Sequence, residues 1–238
     1  MALGSQPRWT VRSADAQVGI DVGLRDYMLR VYNYMASGLA LTGIVAYVAA
    51  YSGFYESIAR TPLIWLVILA PLGLVMWMSF GIQKMRARTA QSIFWLYAGL
   101  MGLSLAVIFL AFTGTSVARV FFITAGTFAG MSLYGYTTQR DLSQFGSFLF
   151  MGLIGIIIAS LVNIFLASSA LQFAISVIGV IVFTGLTAYD TQQIKEMYYS
   201  GDDHEMGSKK AVMGALRLYL DFINLFMMLM QLLGTRRD

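Results

Sequence analysis

Seven apolar stretches, each long enough to cross about 30 Å of hydrocarbon as a helix, leave this chain few folds to choose from. They fall at roughly residues 27–51, 62–82, 90–112, 118–137, 145–167, 170–190 and 211–233. The breaks are short: YSGFYESIART, QKMRART, TGTSVAR, TTQRDLSQ, LASSA and the longer polar run DTQQIKEMYYSGDDHEMGSKK. Soluble domains carry about 25% charged residues, and this chain carries 12% with 58% hydrophobic. One soluble core cannot hide that much apolar surface. In lipid every backbone amide must be paired within the protein, which favours helices here. The predicted fold is therefore an all-α membrane protein, a seven-transmembrane-helix bundle over residues 27–238. Residues 1–26 form a polar arm carrying Arg8, Arg12 and Arg25 without an apolar core, which is not a cleavable signal peptide.

Charge placement predicts the orientation. With the N-terminus in the cytoplasm, the inner segments hold Arg8, Arg12, Arg25, Arg30, Lys84, Arg86, Arg88, Arg140, Lys195, Lys209, Lys210 and Arg217. The outer segments hold Arg60, Arg119, Arg236 and Arg237. That asymmetry is the positive-inside pattern, and it predicts N-in, C-out. It also explains the net charge of +4 without a nucleic-acid partner. The chain has no cysteine, and its one histidine, His204, lies in the polar run SGDDHE. Thiolate chemistry, disulfides and Cys- or His-rich metal sites inside the membrane are thereby excluded. SGDDHE has acids for Ca²⁺ but not the spacing of an EF-hand, so it is expected to be a solvated loop. Gly126 and Gly130, in GTFAG, present a small-xxx-small face for helix contact, and Gly152, Gly155, Gly179 and Gly185 add further points of close approach.

Two acids stand out. Asp190 lies at the end of span six in FTGLTAYDTQQIK, and Asp221 lies about ten residues into span seven in LYLDFINLF. A carboxylate deep in a membrane costs about 2.5–3.5 kcal/mol on insertion scales. Two structural explanations are available. Asp190 is placed to be solvated by headgroups, and Arg217, four residues before Asp221 on the same face, is placed to neutralise it. The functional explanation takes them as a pair. Arg217, Asp221 and Asn224 share one face of span seven, while Thr187 and Asp190 share one face of span six. At short range in a poor dielectric the two carboxylates cannot both stay ionised, so the pair shares a proton. When ionised, the same oxygens suit a hard cation such as Ca²⁺. Asp190 and Asp221 are thus a candidate pH-sensing and gating pair and a transient Ca²⁺ site, supported by Thr187, Arg217 and Asn224. No resident cofactor is expected.

GLTAYDTQQIK, LYLDFINLF and MSLYGYTTQRDLS (Met131–Ser143) together resemble the Bax inhibitor family, the transmembrane Bax inhibitor motif proteins, in its bacterial branch. The likeness runs from Asp26 to Gly234. It implies a bundle with the last helix central, residence in a bacterial inner membrane, and a pH-dependent calcium leak through the paired aspartates at Asp190 and Asp221. The family also has an arginine that latches onto one of the acids. Arg86 and Arg88 are the candidates for it here. The expected partners are the lipid bilayer, Ca²⁺ and protons.

Two other classes compete. A membrane interaction protein that modulates other membrane proteins, such as a membrane protease, is compatible with the same fold. An intramembrane aspartyl protease shares the Tyr-Asp of Tyr189-Asp190, but it should carry Gly-x-Gly-Asp where Leu218, Tyr219 and Leu220 precede Asp221. It should also carry a Pro-Ala-Leu element, whereas the prolines here are Pro7, Pro62 and Pro71. A retinal protein needs a lysine deep in the last helix, and Lys209 and Lys210 stand only at its mouth. A non-enzymatic channel is the favoured expectation.

Overall fold

The computed structural model describes residues 22–237. Eight helices follow in order: α1 Val22–Tyr51, α2 Phe54–Ala59, α3 Leu63–Gly81, α4 Ala87–Ala111, α5 Gly114–Thr137, α6 Ser143–Leu166, α7 Ser169–Glu196 and α8 His204–Leu233. Seven of them are long and apolar enough to span a bilayer. The eighth, α2, is a six-residue helix in the first break. It follows Gly53, whose φ of 73° ends α1 in a conformation that favours glycine. Residues 1–21, with Arg8 and Arg12, lie outside the described residues. Arg25 and Asp26, expected in the arm, are already helical in α1.

Helix starts follow local chemistry. Thr113, Ser168 and Asp203 cap α5, α7 and α8 by accepting hydrogen bonds from the backbone N–H of Ser116, Leu171 and Met206. The break before α8 is therefore shorter than its polar composition predicts. α7 continues to Glu196 and α8 begins at His204. SGDDHE is spent on this turn: Asp203 caps α8 and Asp202 pairs with Lys210 at 2.5 Å. No metal-binding cluster occurs among the described residues.

α8 is the central helix. It packs against α1, α4, α5 and α7, whereas α3 packs chiefly on α4, and α6 on α7. Of its most apolar stretch 67% is buried, against 17% in α3 and in α6. The outer helices turn Trp65, Phe80, Ile164 and Phe165 outward, as lipid-facing surfaces should. At mid-bundle, Tyr219 of α8 packs edge-on against Phe94 and Tyr97 of α4. Its hydroxyl meets Thr42 of α1 at 2.7 Å, and Thr42 also donates to the Ala98 carbonyl. One side chain from the LYLDFINLF motif thus ties three helices together.

Glycine contacts differ from the expected set. A side chain at Gly126 or Gly130 would meet nothing within 4 Å, so the two glycines of GTFAG turn away from the neighbouring helices, while Phe128 between them packs on Phe222 of α8. Gly155 is likewise open. Gly152, Gly179 and Gly185 do admit close neighbours, namely Val182, Met228 and Leu149. The tightest approach is at Gly135, where a Cβ would lie 2.2 Å from the Ala188 carbonyl oxygen of α7.

Candidate functional site

The three sequence motifs converge at one end of the bundle. Ser132 of MSLYGYTTQRDLS meets Thr191 of α7 at 2.9 Å and Tyr32 of α1 at 2.7 Å. Lys195 donates to the Tyr136 carbonyl. Gln192 closes the connection between α5 and α6 from both sides, donating to the Arg140 carbonyl and accepting from the Leu142 N–H. These contacts hold α7 against α5, and α7 presents Asp190 to α8.

Asp190 and Asp221 approach within hydrogen-bonding reach of each other. Asp221 is 5% exposed, and its Oδ2 receives no hydrogen bond from any N–H or hydroxyl. An orphaned carboxylate oxygen of this kind costs several kcal/mol if charged. Asp190 is not at a helix end washed by headgroups. α7 continues for six residues beyond it, and its side chain is 18% exposed.

The other predicted residues divide. Arg217 belongs to the site, but its ion pair is with Asp190 of α7, Nη1 to Oδ1 at 4.0 Å, rather than with Asp221 on its own helix. Asn224 lines the same cavity and donates to the Leu220 carbonyl one turn back. Thr187 is buried and spends its hydroxyl on the Phe183 carbonyl, so it supports α7 rather than the acids. Arg86 and Arg88 are exposed at the start of α4, and neither forms an ion pair with Asp190 or Asp221. The arginine beside the pair is Arg217.

A cavity of about 540 Å³ opens between α6, α7 and α8 and reaches both acids. Its far wall is α6, with Gly146, Ser147 and Phe150. Gly146 is required there, because a Cβ would fall 2.5 Å from the Tyr189 ring. Gly146, Ser147 and Tyr189 were not singled out from sequence as part of a site. The signal for Gly146 and Ser147 is the Gly-Ser pair opening an otherwise oily span, and for Tyr189 its place beside Asp190. The lining mixes aromatic surface with two carboxyls, a guanidinium and an amide, a set that can hold water, a proton or a hard cation.

The family profile described as Inhibitor of apoptosis-promoting Bax1 matches residues 24–238. The chain belongs to the Bax inhibitor-1 family. It is 52% identical over 230 residues to protein RP147 of Rickettsia prowazekii (strain Madrid E), covering 96% of this chain and 98% of that one. It is 50% identical over 228 residues to the inner membrane protein YbhL of Escherichia coli (strain K12), covering 94% and 97%. At 35% identity over 217 residues it is also similar to a membrane protein of Streptococcus pyogenes, serotype M3, covering 90% and 94%. It is an integral membrane protein of this family, and all three motifs of the site lie within the matched residues.

Proposed function

We propose that the protein is a proton-controlled cation leak pathway of the inner membrane, with Ca²⁺ as the permeant ion and Asp190 and Asp221 as its gate. The observation that carries the proposal is the meeting of two carboxyls from adjacent helices, one buried with an orphaned oxygen, at the end of a cavity. With a proton shared, the pair is a hydrogen bond between α7 and α8 and the gate is closed. When the proton leaves, two like charges face each other at short range in a poor dielectric, and the helices separate. The separated oxygens then suit transient Ca²⁺, with Arg217 released from Asp190 as the cation enters. The orientation that goes with this function is N-in, C-out, which puts the pair in the cytoplasmic half.

The test is Ca²⁺ flux into proteoliposomes between about pH 5 and 8 for the wild type, Asp190→Asn and Asp221→Asn. Each variant keeps a possible hydrogen bond and loses the repulsion. The wild type should show at least a tenfold change in leak, equivalent to about 1.4 kcal/mol, and both variants should lose most of it. Identical profiles in all three chains would make the pair structural. Cleavage of a membrane substrate, lost in both variants, would instead identify a protease. A chain that carries no flux but co-purifies with a membrane protein through its N-terminal arm would be acting as an interaction protein.

A further inference from the structure

A second cavity lies away from the aspartates, and its chemistry is different. α1 and α5 both pack on α8, yet they leave a cleft between them at the end of the bundle where the chain terminates. The cleft encloses about 280 Å³. Leu39 to Ala46 of α1 line one wall and Gly114 to Phe122 of α5 the other, Leu105, Ile108 and Phe109 of α4 also line it, and Phe222 and Phe226 of α8 form the floor. Eight and nine residues of helix, seven and eight rises of about 1.5 Å, correspond to about 10–12 Å of length. The lining is apolar throughout: its one hydroxyl, on Thr42, is already committed to Ala98 and Tyr219. Gly43 and Phe122 are exposed, so the cleft opens sideways into the hydrocarbon.

The mouth of the cleft is cationic. The position of a Cβ on Gly114 is 3.8 Å from the Tyr51 hydroxyl. Arg237 donates to that hydroxyl at 2.8 Å and lies over the Tyr51 ring. The tail that carries Arg237 is fixed rather than incidental. Its backbone bonds to Ala111 and Thr113, its Thr235 N–H donates to Ser116, and Arg236 pairs with Phe112. Arg119, next to the groove residue Ala118, donates to the Leu233 carbonyl. At this end the described residues place Arg60, Arg119, Arg236 and Arg237 against the single acid Glu56, and none of the four forms a salt bridge among the described residues.

An apolar groove open to lipid, with guanidinium groups at its mouth that form no salt bridge among the described residues, has the two halves of a phospholipid's chemistry. We propose that the α1–α5 cleft binds an anionic phospholipid, with one acyl chain in the groove and the phosphate against Arg237 and Arg236. The groove offers no polar group to an ion, and hydrocarbon chains are the solvent on its open side. The arginines add selectivity that a bare apolar groove lacks, since a guanidinium fork matches phosphate oxygens. The protein would then carry a structural lipid that fills the cleft and ties α1, α5 and the C-terminal tail together.

The test uses the full chain in bilayers, with Phe121→Trp as the reporter because Phe121 packs on the groove floor against Phe222 and Phe226. Its fluorescence is taken as the difference from the parent chain, and it is titrated with phosphatidylglycerol or phosphatidylethanolamine brominated on the acyl chain. Phosphatidylglycerol should half-quench the reporter at a mole fraction on the order of 25-fold lower, since each of the two arginines at a headgroup surface is worth about fivefold. Arg236→Gln combined with Arg237→Gln should bring the two lipids level. Gly43→Leu, at an exposed position with nothing within 4 Å of its Cβ, should abolish quenching by either lipid. Equal quenching by both lipids in the parent reporter chain would overturn the headgroup site and leave only bulk lipid contact. A reporter that neither lipid quenches would overturn the proposal too, because protein, such as a second copy, would then fill the cleft.

Discussion

Arg217 shows how one residue can be assigned to a site and still have its partner misjudged. Spacing along a helix places it one turn from Asp221, and the structure directs it across to Asp190 at 4.0 Å. It reaches over because α7 and α8 lie side by side and a guanidinium on a long stem can span the gap. The contact is single rather than bidentate, and the side chain is 48% exposed, so its contribution to stability should be at most about 1 kcal/mol. Its effect on the proposed gate should be larger, because it forms an ion pair with Asp190 beside Asp221. Arg217→Gln should displace the pH profile of Ca²⁺ leak, while Arg217→Lys, which keeps the charge, should leave it close to wild type. An unchanged profile in Arg217→Gln would make the arginine a bystander. Asp141 supplies a contrast outside the spans. Its carboxyl accepts from the Ser143 hydroxyl and then the Ser143 N–H, which holds it below the ordinary carboxylate value of 3.8. A lowered carboxyl contributes stability above its ordinary value and loses it only as pH falls through the lowered one. Asp141 therefore keeps its charge between about pH 5 and 8. Asp141→Asn should leave the pH profile of leak unaltered over that window, and a flattened profile would move the sensor out of the membrane.

At the scale of elements, the decisive contacts are those where backbone meets backbone. In lipid there is little hydrophobic gain from pressing two helices together, so close packing and hydrogen bonds must hold them. Gly135 lets α5 approach the Ala188 carbonyl of α7, and the same pair of helices is joined through Ser132–Thr191 and Lys195–Tyr136. Gly135→Ala should lower thermal stability in detergent by about 1–3 kcal/mol, because a backbone oxygen cannot swing away as a side chain can. Gly126→Ala, exposed with no neighbour within 4 Å, should stay within about 0.5 kcal/mol of wild type. Equal destabilisation by both would mean that Gly126 has a partner after all. The comparison needs only melting curves of the two variants beside the parent.

For the molecule as a whole, orientation decides what the gate faces. Reporter fusions after Arg88, Arg140 and Lys210 should register cytoplasm, and one after Asp238 the opposite side. The charge count predicts that arrangement, and α8, although among the more polar spans, is a 30-residue helix long and apolar enough to cross. A cytoplasmic report after Asp238 would exchange the sides of the membrane on which the proposed gate, at one end of the bundle, and the arginine-capped cleft, at the other, lie. The lipid proposal would survive the reversal, since it depends only on the cleft and its arginines sharing one end of the bundle. The leak proposal would then need its proton to come from the other compartment.

Much of this protein is determined by local chemistry, which a sequence carries directly. Seven helices follow from the lengths of the apolar stretches, because unpaired backbone amides are intolerable in hydrocarbon. The two acids announce themselves by their cost in an oily segment, and three motifs in the right order carry the family likeness. Span ends are less legible: the polar residues Thr191 to Glu196 continue α7 because the protein supplies partners such as Leu142 and Tyr136. What only the tertiary structure decides is which side chains meet. Glycine spacing alone favours GTFAG over Gly135, and only packing shows which face meets a helix and which meets lipid. Arg86, Arg88 and Arg217 are equivalent as charges, and only the placement of α7 beside α8 brings Arg217 to Asp190. The apolar cleft between α1 and α5 has no sequence signal at all. It is a gap left by helices that both rest on α8, closed at its mouth by arginines more than a hundred residues away from Gly114 along the chain.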